Sequence, residues 1–156
     1  MSGRLIGIAR RAEPGAPMEE IDSARVTQGI GIDGDYRGKA RLRQITVLSR
    51  EQWEETMAGL GADLPWTTRR ANLLVEGVRL PQRKGAEIHV GELRLKVVWR
   101  TAPCSRMDKA YPGLMRALGP DWRGGVVCRV ISEIPVSIAV GDTVAIEPDP
   151  MTANLP

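Results

Sequence analysis

Short runs in which apolar and polar residues alternate recur along most of this chain. A period of two is typical of β-strands that bury one face. Residues 3–9 and 41–48 are read as such strands, and residues 136–146 hold two more around Gly141 and Asp142. Residues 126–131 form a mostly apolar run that is also typical of a strand. Residues 85–97 alternate on both sides of Gly91, which indicates a hairpin. The pattern therefore predicts many short strands.

Two segments have the periodicity of a helix instead. Ser49 and Gln52 have the spacing of a capping box, and the following Trp53 and Met57 fall on one helical face. A second short helix is predicted for residues 112–118. With so many strands and so few helices, we expect a mainly β protein: an antiparallel β-barrel with a few short helices at its rim.

The length of the chain, 156 residues, favours one domain. We predict a single barrel domain over residues 1–148 and a frayed tail over residues 149–156, which are rich in proline and polar residues. No apolar run approaches the roughly 20 residues that span a bilayer. The apolar stretch at the N-terminus is too short and too charged for a secretory signal, so we expect a cytoplasmic protein without a membrane anchor.

Arginine dominates the positive charge. The net charge is +3, and four of the 22 basic residues are lysines while the other 18 are arginines. Arginine forks suit phosphate and other anions, although scattered arginines could also reflect genome composition. Nucleic acid is not expected as a partner, because basic runs and interleaved aromatic residues are lacking. The glycine-rich residues 29–35 lack the Lys-Ser/Thr of a phosphate loop and are predicted to be turns.

Cys104 is the residue with the most evident chemistry. It follows a strand and a proline and has Arg100, Arg106 and Lys109 as sequence neighbours, which would favour the reactive thiolate. The alternative is a small buried residue at a strand end. Cys128 lies inside an apolar run and is predicted to be core. A four-ligand structural zinc site cannot be built from two cysteines and one histidine.

His89 lies in the first arm of the predicted hairpin. We expect it on the solvent face of a strand, without a carboxylate partner to orient it.

Seven segments of the chain, in order, resemble the MOSC domain, the family related to the C-terminal part of molybdenum cofactor sulfurases. They are residues 31–35 (GIDGD), 43–49 (RQITVLS), 69–80 (RRANLLVEGVRL), 85–91 (GAEIHVG), 103–104 (PC), 123–126 (RGGV) and 141–144 (GDTV). The resemblance rests on the common order and spacing of these segments.

The resemblance implies a β-barrel fold and a catalytic role for Cys104. In relatives the matching cysteine is thought to ligate molybdenum of the pterin-bound cofactor or to carry sulfur as a persulfide. The resemblance also implies that the molybdenum cofactor (molybdopterin) binds next to Cys104. The residues expected to hold it are Arg70 and Asn72 of the Arg-x-Asn stretch, Arg123 and Gly124 of the Arg-Gly-Gly turn, and Arg69 and Arg43.

Three functions remain open at this stage. The first is a molybdenum-dependent oxidoreductase that reduces small N-hydroxylated substrates with electrons from a separate donor protein. The second is a sulfur carrier or cofactor-handling module that receives sulfur on Cys104 from a separate donor. The third is a non-enzymatic anion-binding domain in which Cys104 is structural.

Overall fold

Residues 2–39, 42–102 and 104–147, which the computed structural model describes, contain eleven strands and three α-helices. The strands are β1 (Ser2–Arg10), β2 (Glu19–Ile21), β3 (Ser23–Thr27), β4 (Gly31–Ile32), β5 (Ile45–Ser49), β6 (Leu73–Glu76), β7 (Glu87–Val90), β8 (Leu93–Arg100), β9 (Val126–Val130), β10 (Val136–Ala139) and β11 (Thr143–Ile146). The helices are α1 (Arg50–Leu60), α2 (Ser105–Ala110) and α3 (Leu114–Ala117). The tail predicted for residues 149–156 lies outside the described residues.

Seven of the described strands close into a barrel in the order β1-β11-β7-β8-β9-β5-β6, with β6 returning to β1. All neighbouring pairs in this ring are antiparallel except β5 and β6, which run parallel. A parallel pair needs a crossover, and α1 lies in it. The predicted mainly β barrel with short helices is therefore confirmed, and the parallel pair is a local departure from its antiparallel order.

The barrel interior is filled by the inward side of these strands. Leu5, Ile45, Leu73 and Leu95 have no exposed surface and belong to one apolar cluster. Cys128 belongs to the same cluster, and complete burial raises the pKa of its thiol. The prediction that Cys128 is a core residue is confirmed.

The outer face of β5 and β6 is covered by the three helices. Leu48 and Leu74 point outward and pack with Trp53 and Met57 of α1 in a second apolar cluster. This explains why every residue of β5 is buried: one face meets the barrel core and the other meets the helices.

The ends of α1 follow the sequence signals. The Ser49 hydroxyl accepts a hydrogen bond from the backbone N–H of Gln52 at 3.3 Å. Gly61 ends the helix in the left-handed conformation, with φ of 64°. The helix predicted for residues 112–118 is the shorter α3, which begins after Gly113.

The hairpin predicted for residues 85–97 is formed by β7 and β8, with Gly91 in its turn. The expectation that His89 lacks a carboxylate partner is wrong. Its Nε2 lies 3.2 Å from Oε1 of Glu87, and its Nδ1 lies 3.5 Å from Oε1 of Glu147. The partner was missed because Glu87 is two residues earlier on the same strand, where alternation returns a side chain to the same face.

A small sheet of β10, β3 and β4 packs against the barrel through Val26, Ile32 and Ile138. Within the described ranges, no helix is long and apolar enough to cross a membrane.

Candidate anion-binding cavity with a cysteine at its edge

A cavity of about 390 Å³ lies on the outer side of the barrel, beside β5, β8 and β9. Thr46 of β5 and Val127 of β9 are opposite each other in the sheet and line this cavity. The described residues that line it are Arg11, Tyr36, Arg37, Arg43, Thr46, Arg69, Arg70, Ala71, Trp99, Arg100, Thr101, Ala102, Cys104, Arg106, Met107, Gly124 and Val127.

The lining carries positive charge without compensation. Seven of the described lining residues are arginines, and none is aspartate or glutamate. Like charges that converge on one concave surface repel one another and raise the local concentration of anions. The cavity is therefore suited to a ligand that carries one or more negative charges.

Arg69 is a buried cation of this cavity that is held by two backbone carbonyls. It is 6% exposed; its Nε donates to the Gly124 carbonyl at 3.1 Å and its Nη2 to the Thr101 carbonyl at 2.9 Å. Burial lowers the pKa of Arg69 to about 10, and negative charge on Cys104 opposes this shift. The guanidinium therefore stays charged at neutral pH and is coupled electrostatically to the cysteine.

Gly124 makes room for this arrangement. A Cβ at this position would lie 2.7 Å from the Thr101 carbonyl oxygen and 3.1 Å from Arg69 Nη2. Both atoms belong to the hydrogen bond that holds Arg69, so any larger residue would displace it. Gly124 thus helps to position Arg69 in two ways: its carbonyl accepts a hydrogen bond, and its lack of a side chain leaves room for the guanidinium.

Arg11 is a second buried cation of the cavity, and sequence analysis missed it. It is 5% exposed, its Nη2 donates to the Tyr36 hydroxyl at 3.1 Å, and its guanidinium lies 4.8 Å from the centroid of that ring. Its Nη1 is buried without a hydrogen-bond partner in the described structure. Burial, then the charge of Arg70, lowers the pKa of Arg11. A buried donor without a partner is costly, so this atom marks a position where a ligand acceptor would fit.

Asp35 fixes the segment that carries Arg11. It is 6% exposed and accepts a hydrogen bond from the backbone N–H of Arg11 at 3.0 Å. Burial raises the pKa of Asp35. The signal for this pair in the sequence is weak, because 24 residues separate its members and only the barrel topology brings them together.

Arg70 has a strained backbone and forms a wall of the cavity. Its φ of 65° lies in the left-handed region that non-glycine residues seldom adopt. Its Nη2 donates to the Ala16 carbonyl at 2.7 Å, and its Nε is buried without a partner in the described structure. Behind it lies a second groove of about 360 Å³, which shares Arg70 and Arg106 with the cavity and adds Lys109.

Cys104 is an exposed free thiol at the edge of the cavity, immediately before α2. Of the cations predicted around it, Arg100 and Arg106 line the same cavity, whereas Lys109 lines the adjoining groove. The alternative that Cys104 is a buried strand cap is wrong, because Cys104 is exposed and directly precedes α2. Among the described residues, no three His, Cys, Asp or Glu side chains lie close enough together to bind a metal ion.

The model of one protein family matches residues 34–145, and its description is "MOSC domain". This chain belongs to the MOSC domain family. No curated protein matches it. Solved structures share its fold, among them the YUAD protein from Bacillus subtilis, with a TM-score of 0.77 and 20% identity over 92% of this chain and 94% of that one.

Two YiiM proteins also share the fold of this MOSC domain. YiiM from Escherichia coli has a TM-score of 0.70 and 14% identity over 94% of this chain and 70% of its own. YiiM from Geobacillus stearothermophilus has a TM-score of 0.65 and 16% identity, with 94% and 73% coverage. At such identities the likeness extends to the fold alone.

The predicted cofactor residues of this MOSC domain divide into two groups. Arg43, Arg69, Arg70 and Gly124 line the cavity together with Cys104. Asn72 and Arg123 are not among the described lining residues.

Asn72 lies behind the cavity wall. Its Oδ1 accepts hydrogen bonds from the backbone N–H and the hydroxyl of Thr46, and its Nδ2 donates to the Ala9 carbonyl. Arg123 instead reaches Oε1 of Glu55 at 2.9 Å. For both residues a direct contact with a cofactor stays a prediction, and the contacts in this structure hold β1, β5 and the helical layer in place.

Proposed function

We propose that this MOSC domain binds the molybdenum cofactor in its arginine-lined cavity and reduces small N-hydroxylated compounds, with Cys104 as a ligand of the metal. One observation carries the proposal: a free cysteine lies at the edge of a cavity whose described lining includes seven arginines and no carboxylate. A pterin phosphate supplies the missing negative charge, and the cysteine supplies a soft ligand.

The described residues fit this cofactor. Arg11 and Arg70 each bury a guanidinium nitrogen that has no partner among the described residues, and a phosphate offers several acceptor oxygens. Arg69 would hold the anionic end through its charge, since two of its nitrogens already donate to backbone carbonyls. Arg37 and Arg43 are exposed at the same cavity and would complete the positive surroundings.

The metal would depend on the cofactor for most of its ligands. No group of three protein ligands exists among the described residues, whereas a dithiolene binds a soft metal by itself. Cys104 would add one sulfur ligand from the protein, at the edge of the same cavity. When bound, the cofactor would supply a two-electron redox centre.

The net reaction is RNHOH + 2e⁻ + 2H⁺ → RNH₂ + H₂O. The N–O bond breaks, the oxygen leaves as water, and two electrons come from a separate donor protein. In this chemistry the arginines would bind and orient the phosphate of the cofactor, and Cys104 would be the protein ligand of the metal. We expect the protein to work in the cytosol, where reducing conditions keep Cys104 a free thiol.

The test is reduction of benzamidoxime by the purified protein, expressed in a host that makes the molybdenum cofactor, with reduced methyl viologen as donor. We expect turnover by the wild type and by Ser105→Ala, a neighbouring exposed residue that serves as control. Cys104→Ser should lose at least about a hundredfold in rate. Full activity of Cys104→Ser would contradict the role of Cys104.

A sulfur carrier is the second candidate, because Cys104 is exposed at the mouth of the cavity and open to a donor protein. After incubation with a persulfide donor, mass spectrometry should then show one added sulfur on the wild type and none on Cys104→Ser. Absence of this adduct, together with benzamidoxime reduction, would exclude the carrier. A third outcome is that the wild type shows neither turnover nor a sulfur adduct, while Cys104→Ala still binds phosphate. That outcome would support the non-enzymatic anion-binding domain.

A further inference from the structure

Trp99 reaches the cavity because β8 contains a bulge. Upstream of the bulge, Leu95 and Val97 point into the barrel and are buried. Strict alternation would send Trp99 to the same side. The register against β9 shifts between Val97 and Trp99, so that Trp99 is paired with Val127, whose side chain lines the cavity. Bulges redirect side chains in this way, and they occur often beside functional sites.

The indole of Trp99 is open to a ligand. It lines the cavity and is 48% exposed, which is unusual for the largest apolar side chain. The other aromatic ring among the described lining residues belongs to Tyr36, and the guanidinium of Arg11 already lies over it. Trp99 is therefore the aromatic face in this cavity to which a ligand has access.

Trp122 contacts the indole of Trp99 and is not among the described residues that line the cavity. The two ring centroids are 5.2 Å apart with an interplanar angle of 57°, a tilted arrangement that is favourable for aromatic pairs. Trp122 is half-buried against the barrel core. It thus limits the movement of an indole that would otherwise be free at the surface.

A strained turn holds Trp122 in this position. Asp121 and Trp122 both have positive φ, 53° and 54°, although neither is glycine. The Asp121 carbonyl accepts hydrogen bonds from two glutamine side chains, Gln52 at 2.8 Å and Gln82 at 2.9 Å. Strain of this kind persists only where the surroundings enforce it. Here the hydrogen bonds from Gln52 and Gln82 hold the strained turn, and the turn places Trp122 beside Trp99.

We propose that Trp99 is a stacking surface for a planar heteroaromatic ring, with Trp122 as its positioning residue. The bulge and the strained turn are separate deviations from regular structure, and both serve to place one indole beside seven arginines. The ligand class that fits is a flat heterocycle joined to an anionic group. The inference rests on the proposed function in assigning the ring to the substrate; the pterin of the cofactor is the other source with the same chemistry.

The test compares two phosphate probes that differ by a ring, adenosine monophosphate and ribose 5-phosphate, in equilibrium dialysis with the purified protein. Stacking of a base on an aromatic side chain predicts about tenfold tighter binding of adenosine monophosphate. Trp99→Leu should remove this preference and leave ribose 5-phosphate affinity unchanged, which also shows that the variant folds. Trp99→Phe should retain most of the preference.

Two further variants complete the design. Trp66→Leu, at an indole whose Nε1 donates to Glu20 outside the cavity, should keep the full preference. Gln82→Ala, which removes one support of the strained turn, should reduce it. Equal binding of the two probes by the wild type, or a full preference in Trp99→Leu, would overturn the proposal.

The dialysis needs neither metal nor electrons, so its outcome stands apart from that of the proposed reaction. Molybdenum content of Trp99→Leu then distinguishes the two sources of the ring. Content equal to that of the wild type assigns the stacked ring to the substrate. Loss of molybdenum in parallel with the binding preference assigns it to the pterin.

Discussion

At the scale of single residues, the cavity combines groups that sequence neighbours reveal with groups that they do not. Arg100 and Arg106 lie within four residues of Cys104, and the local pattern predicted their convergence. Arg11 follows β1 and Arg37 lies between β4 and β5, and only the three-dimensional fold brings them to the same surface. Short-range chemistry was therefore readable from the sequence, whereas the full charge of the cavity was not.

Arg69 carries the sharpest prediction at this scale. Arg69→Met removes a buried cation and should weaken binding of inorganic pyrophosphate by at least about tenfold, the effect of losing one charge-assisted interaction. Arg69→Lys keeps the charge but lacks the guanidinium fork that donates to the Gly124 and Thr101 carbonyls. Its affinity for pyrophosphate should therefore lie between those of the wild type and Arg69→Met. Isothermal titration calorimetry measures all three proteins.

Arg25→Met is the matched control, because Arg25 is an exposed arginine of β3 that does not line the cavity. Its pyrophosphate affinity should equal that of the wild type. An equal loss in Arg25→Met and Arg69→Met would mean that net charge alone, and not the cavity, attracts the anion.

At the scale of elements, the sequence predicted those segments whose signals are local and strong. The hairpin of β7 and β8 has continuous alternation, and α1 has a cap at each end. The six-residue helix α2 was missed, because its single buried side chain, Met107, gives no periodicity. The bulge in β8 was missed as well, since alternation in the sequence does not record a shift in pairing.

Two glycines at the C-terminal end of α1 test the prediction of where this helix ends. Gly59 lies inside the helix with open space around its Cα, so Gly59→Ala should stabilise the protein by about 0.5–1 kcal/mol. Gly61 also has open space but a φ of 64°, so Gly61→Ala should destabilise it by about 1 kcal/mol. Urea unfolding measures both. If both substitutions changed the free energy of unfolding in the same direction, the capping role of Gly61 would be contradicted.

Glu87 on the β7–β8 hairpin should make the stability of the protein depend on pH. A hydrogen bond from Arg94 at 2.9 Å, and then one with His89, lowers the pKa of Glu87 below its usual value of 4.5. A carboxylate whose pKa is lower in the folded state adds stability above pH 4.5 and loses it as pH falls through the folded-state pKa. Glu87→Gln should therefore cost about 0.5–1 kcal/mol at pH 7 and less at pH 3.

Urea midpoints of the wild type and Glu87→Gln at the two pH values measure this difference. Glu133→Gln, at an exposed glutamate between β9 and β10, is the control and should have no effect at either pH. A difference for Glu87→Gln that persists unchanged at pH 3 would show that the ion pair is not its source.

At the scale of the whole molecule, the barrel creates a site that no single element contains. Seven strands close a core that needs no ligand, and the helices cover part of its outer face. The cavity forms where that cover ends, at the side of β5, β8 and β9. The family resemblance predicted the barrel and placed Cys104 beside a basic site, but it also named Asn72 and Arg123, whose contacts here are with Thr46, Ala9 and Glu55.

The central claim is that the cavity binds the molybdenum cofactor through its arginines and Cys104. The most direct measurement is the molybdenum content, by elemental analysis, of wild type, Cys104→Ser and Ser105→Ala purified from a host that makes the cofactor. We expect near-stoichiometric molybdenum in the wild type and Ser105→Ala, and a clear reduction in Cys104→Ser. Molybdenum absent from the wild type, or equal in all three proteins, would contradict it.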